Sequence, residues 1–141
     1  MSDRPGQPAP VMALDALLAQ LRPARQPGVF VFASVAGDVV PLGLTPLATF
    51  RETEGLSLVV REPDAIAAGL TPLFRAAWIT LAVHSDLQAV GLTAAVARVL
   101  TEAGISCNVV AAAYHDHLFV PVDRADEAMR VLQTLSAASR A

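Results

Sequence analysis

One stretch of 44 residues, Trp78 to Pro121 (WITLAVHSDLQAVGLTAAVARVLTEAGISCNVVAAAYHDHLFVP), constrains the fold more than any other part of the chain. Its first strand is the apolar run Ala76 to Val83, which begins two residues before it and is long and unbroken enough for burial on both faces. Leu92, Ala95, Val96, Val99 and Leu100 then recur at three- and four-residue spacing, so they share one face of a helix, and Gly104 supplies its left-handed stop. Ile105 to Ala113 reads as a second strand, Tyr114 to Asp116 as a turn and Leu118 to Val122 as a third strand. A last helix, Arg124 to Leu135, carries its apolar stripe at Ala128, Val131, Leu132 and Leu135, with Asp123 placed as its N-cap. Strand, helix, strand, strand, helix is five of the six elements of a split unit of ferredoxin type, and only the final strand is missing.

The N-terminal part supplies candidates for that strand. Residues 1–11 are Pro-rich and polar and are expected to be disordered. Met12 to Leu21 forms a short amphipathic helix stopped by Pro23. Gly28 to Val35 alternates, with Val29, Val31 and Ala33 facing one way and Phe30 and Phe32 the other, and it is the strand expected to complete the C-terminal sheet. Ala48 to Glu52 and Leu56 to Arg61 pair as a hairpin around Glu54-Gly55, and Pro63 to Ala68 makes a short helix. The expected organisation is an N-terminal half over residues 12–72 and a C-terminal domain over 73–141. The class is α+β, an antiparallel ferredoxin-like sheet with helices on one face.

Charge narrows the partners. The chain has no Lys, a net charge of −3 and no basic run, which argues against nucleic acid or an anionic membrane. No apolar run approaches the roughly 18 residues of a membrane span, and the N-terminus lacks signal-peptide character, so a cytoplasmic protein is expected. The single Cys excludes an intrachain disulfide and reads as a small packing residue.

The chemistry-bearing residues gather at one end of the expected sheet. His84, Ser85, Asp86, Leu87, Val90, Gly91 and Leu92 form the first strand-to-helix loop, and Tyr114 to His117 form the facing turn. Free backbone N–H groups at the helix start suit a carboxylate, and Gly91 lets a ligand approach closely; an ordinary loop capped by Asp86 is the alternative. Asn108, polar within a run of small apolar residues, serves either an adjoining strand or a ligand. His84, His115 and His117 raise the different reading of a small metal-dependent enzyme. No phosphate-binding Gly loop, nucleophile elbow or catalytic triad pattern occurs, and a structural adaptor is a third reading. No cofactor is expected.

Five segments together carry a family resemblance: E-x-E-G-L-S-L at Glu52 to Leu58, W-I-T-L-A-V-H-S at Trp78 to Ser85, A-V-G-L-T-A-A at Ala89 to Ala95, G-I-S-C-N-V-V-A at Gly104 to Ala111, and Y-H-D-H-L-F-V-P at Tyr114 to Pro121. Over roughly residues 12 to 137 the chain resembles the small bacterial ACT-domain proteins built from two ACT-like halves. The resemblance implies a non-catalytic regulatory module that binds an amino acid or similar small metabolite at an interface between modules. The central stretch is similar to the serine-sensing ACT module of phosphoglycerate dehydrogenase. That likeness implies ligand contacts from His84, Asp86 and the backbone around Val90, Gly91 and Leu92, with Asn108 contributed by a neighbouring module. A further likeness, to arginine-sensing proteins with paired ACT modules, implies a ligand contact from Asp116. On this reading Leu87 and Val109 form the pocket walls, a homodimer covers the sheet edge left open, and a regulated protein partner receives the signal.

Overall fold

The computed structural model describes residues 11–83 and 90–140. The elements in order are α1 (Val11–Ala19), β1 (Pro23–Arg25), β2 (Phe30–Val35), β3 (Ala48–Glu52), β4 (Gly55–Arg61), α2 (Glu62–Ala67), β5 (Phe74–Leu81), α3 (Leu92–Glu102), β6 (Asn108–Ala111), β7 (Asp116–Pro121) and α4 (Ala125–Ser139). A 3₁₀ turn, Val122–Arg124, leads into α4. Among the described residues no helix is long and apolar enough to cross a membrane.

The strands form one antiparallel sheet in the order β3-β4-β2-β5-β7-β6. Its two halves therefore meet through their sheets edge to edge, along β5. The edge of β5 away from β7, where the missing sixth strand of the C-terminal unit belongs, is filled by two pieces of the N-terminal half. β2 takes the first part, pairing Phe30 with Ala76 and Phe32 with Phe74, as expected for the strand over 28–35. β1 takes the rest, pairing Pro23 with Leu81 and Arg25 with Ile79. Gln26 N–H extends that ladder by donating to Trp78 O at 2.8 Å.

Register sorts the side chains into two faces. Ala77, Ile79 and Leu81 of β5 point with Leu118 and Val120 of β7 into a core closed by Leu92, Val96 and Leu100 of α3 and by Ala128 and Leu132 of α4. Leu18 of α1 and Leu21 just beyond it complete that core. Val31 lies opposite Arg75, two residues from Ala77, so it shares this face and packs with Leu56, Leu58, Val60 and Ala65 of α2. All four helices thus cover one side. The other side gathers Phe30, Phe32, Phe74, Trp78 and Phe119, stacked edge to face with ring centroids 5.3 Å apart for Phe30 on Trp78 and for Phe32 on Phe119.

Several boundaries differ from the sequence reading, among them Asp116, which opens β7 and is not in the turn, and two of the differences have local reasons. Ile105, expected to open a strand, instead ends α3: its N–H donates to Leu100 O at 2.9 Å and that of Gly104 to Thr101 O at 2.9 Å. With Gly104 at φ 72° this is a Schellman motif, and pairing begins only at Asn108. Asp123 lies in the 3₁₀ turn and not at the cap of α4, whose N-terminus has no side-chain cap. Arg124 reaches back to Ala103 O at 3.1 Å and ties that turn to the end of α3.

Candidate functional site

The site starts where β5 leaves the sheet. Leu81, the last residue of β5, lies opposite Asp116 in β7. The β6–β7 turn is closed by Ala112 N–H donating to His115 O at 3.0 Å, and the His115 ring sits 3.5 Å from Val83 O. The turn therefore lies alongside the residues that lead into the loop. His84, Ser85, Asp86 and Leu87 fall outside the described residues.

The chain re-enters at Val90, which is exposed, and turns at Gly91 with φ 103° to begin α3. Only glycine adopts that angle without strain. A Cβ here would also come within 2.9 Å of Leu14 Cδ2, so Gly91 lets α1 close against the start of α3. Leu92 is buried and anchors the first turn. Among the described residues that turn has no side-chain cap, and it carries no acidic residue, so its N–H groups and the positive end of the helix dipole suit an acceptor.

Register separates the remaining expected residues. Asn108 lies opposite Phe119, three rungs from the Ala111–Asp116 pair, and alternation puts its side chain on the helix-free face, exposed. Asn108 and Asp116 of one chain do not converge. Val109, next to Asn108 in β6, packs against the core beneath the helices.

His117 has a different environment. Trp78 Nε1–H donates to its Nδ1 at 3.0 Å, Thr80 Oγ1 lies 3.2 Å from the same nitrogen, and Gln26 Nε2 donates to Thr80 Oγ1 at 3.0 Å. Burial, reinforced by the nearby His115 and opposed by Asp116, lowers its pKa below the ordinary 6.5. Sequence reasoning passed over Trp78, Thr80 and Gln26; alternation puts Trp78 and Thr80 on one face of β5, but only the register that sets His117 opposite Thr80 joins them. Among the described residues no three His, Cys, Asp or Glu side chains come together as a metal would require.

Two predictions follow from these environments. Since the folded pKa of His117 is depressed, its contribution to stability is present above pH 6.5 and is lost as pH falls through the folded value. Melting temperature should decline over that range, together with a change in fluorescence of the single Trp, and the decline should be smaller in His117→Gln. An unchanged profile in the variant contradicts the assignment. Cys107 packs against the core, and burial raises its thiol to about 11. Alkylation at pH 7.5 should run at least about a hundredfold slower than for a free cysteine and reach the normal rate in urea; fast labelling of the folded protein would refute this.

The geometry agrees with comparison to known proteins. The sequence matches the ACT domain over residues 9–77 and again over 74–134. A protein of unknown function from Vibrio cholerae, described as a possible transport protein, has 43% sequence identity and a TM-score of 0.79, over 89% of this chain and 98% of that one. A protein from Agrobacterium tumefaciens shares the fold at 18% identity and TM-score 0.65, over 82% of this chain and 89% of its own. The regulatory subunit of aspartate kinase from Thermus flavus does so at 10% identity and TM-score 0.57, over 80% and 95%. No curated protein sequence matches the chain. The chain belongs to the ACT-domain family and is built from two ACT domains in tandem.

Proposed function

We propose that this protein is an amino-acid sensor whose ligand binds at the start of α3, with Asp116 at the start of β7 as its second contact. ACT domains are regulatory ligand-binding modules and not catalytic ones, and the ligand class and the site are the finer reading. What supports it is topology: the end of the sheet where β5 finishes and β7 begins carries an acidic side chain, and the chain leaving β5 there leads to the start of α3. The first turn of α3 behind Gly91 is a seat for a carboxylate. Asp116, on the strand beside the end of β5, is a partner for an ammonium group. A free amino acid carries both.

His84, Ser85, Asp86 and Leu87, which lie outside the described residues, are proposed as further ligand contacts on the family resemblance alone. Asn108, held on the opposite face in its own chain, serves the site of a second copy, so the sensing unit is a homodimer and β6 is the edge it presents. Ligand acts by favouring one arrangement of the subunits, to the extent that it binds that arrangement better, and the regulated protein reads the difference. The metal-enzyme and adaptor readings have no comparable observation behind them.

Titration of the ¹⁵N-labelled protein with pooled amino acids tests the location. Amide resonances of Gly91, Leu92 and the 111–116 turn should move selectively with one pool. Movement confined to other parts of the chain would sink the proposed site, and none with any pool would sink the ligand class.

A further inference from the structure

The helix-free face of the sheet holds a separate concavity of about 260 Å³. Leu47 and Ala48 border it from the β3 side, and Val110 and Ala112 from the β6 side; Trp78, His117 and Phe119 line it from the central strands. β3 and β6 are the first and last strands of the order. That they share one cavity means the sheet curls over its open face until its two edges approach each other.

Among the described residues that line it, Trp78 and His117 carry polar ring groups, and they are bonded to each other. The Trp78 indole N–H can only donate, so Nδ1 of His117 must accept and the neutral ring carries its proton on Nε2. Thr80, itself held by Gln26, steadies the same edge of the ring. Satisfying a histidine on a sheet surface requires one partner. Here a chain of three side chains fixes one tautomer and one orientation, and it leaves Nε2–H on the far edge of a ring that lines a cavity. An apolar hollow with one oriented donor is the general form of a small-molecule site.

The geometry points to a second ligand site, which takes a neutral molecule with one ring or a branched apolar body and a hydrogen-bond acceptor read by His117 Nε2–H. Size sets the body: a cavity of about 150 Å³ already admits benzene, so this one holds a ring with a substituent. Charge sets neutrality, because none of the described lining residues would pair a desolvated carboxylate. Leu47 and Val110, 41% and 37% exposed at the rim, gain burial when the site fills. Because the walls come from both ACT halves, the ligand holds one curvature of the sheet, at a place distinct from the start of α3.

Acetophenone and ethylbenzene are matched probes of nearly equal shape, and only the first has an acceptor. Each is titrated into the full ¹⁵N-labelled chain while the single indole N–H and the amides of Ala48, Val110 and Phe119 are followed. Both probes should move these resonances, and acetophenone should bind about 3- to 10-fold more tightly, the worth of one net hydrogen bond. His117→Leu should abolish that preference and keep ethylbenzene binding. Ala48→Leu and, separately, Ala112→Leu should fill the hollow and remove both responses, with amide dispersion checking that each variant folds. Four results overturn the proposal: no shift up to the solubility of the probes, shifts undiminished in a folded filled variant, a preference that survives His117→Leu, or the same resonances moving with protein concentration alone, which would give the hollow to a second copy.

Discussion

Ile79→Ala should destabilise the protein by about 4 kcal/mol, toward the top of the range for removing a buried branched side chain. Ile79 is fully buried, and β5 has partners on both of its edges at this position, Arg25 in β1 and Leu118 in β7. The strand cannot slide inward to fill the void without breaking one of those ladders, so the cavity stays open. Against the roughly 7–20 kcal/mol expected for a chain of this length, the loss is large and is readily measured by urea unfolding. β5 belongs to the interface of both halves, so the fluorescence of Trp78 and the far-UV signal should shift together to the same lower midpoint. A loss under about 1 kcal/mol, or separate midpoints for the two probes, would contradict the account of β5 as the shared seam.

Gly55→Ala should cost about 2–3 kcal/mol. Gly55 opens β4 at φ 153°, opposite Glu52, and a Cβ there would run into the carbonyl oxygen of Val35. That oxygen is backbone. It cannot turn aside as a side-chain tip would, because Val35 is paired with Leu56 in the β2–β4 ladder. Gly37 is the internal control: it has φ 85° and open space around it, so Gly37→Ala bears backbone strain alone. Chemical denaturation of both variants separates the terms. Gly55→Ala should exceed Gly37→Ala by at least about 1 kcal/mol, and equal losses would mean that the carbonyl contact has no effect.

Much of the fold was legible because it rests on periodicity. The stripe of Leu92, Val96 and Leu100 could only be a helix with one buried face, and the alternation around Phe30 and Phe32 placed β2 and its two faces. β1 was not legible. Three residues, Pro-Ala-Arg, lack a strand's composition, and they pair because β5 offers an edge that β2 is too short to cover. Ile105 was misread because an apolar residue after a helix-ending glycine serves a strand or a Schellman contact equally well, and spacing does not distinguish them.

Legibility of the site divides along the same line. Gly91 was marked by its type and by its place before an apolar stripe. Asn108 and Asp116 were marked by their polarity, but which face each occupies depends on register, and register depends on strands that meet only in the folded chain. The anchoring of His117 by Trp78 and Thr80 was hidden for the same reason. The five aromatic residues packed together on the helix-free face come from β2, β5 and β7, so their meeting is a product of the sheet order and of no local pattern.

The central claim is that the protein binds an amino acid through the start of α3 and Asp116. The most direct measurement is a thermal-shift screen of the twenty amino acids on the wild-type chain and on Asp116→Ala. A ligand at a hundredfold excess over its Kd adds about 2.7 kcal/mol, which for a chain of this size raises Tm by roughly 5–10 °C. The account predicts such a rise for one amino acid or a close chemical group of them, lost in Asp116→Ala while the unliganded variant melts near the wild-type temperature. No rise with any amino acid, or a rise that Asp116→Ala retains in full, would contradict it.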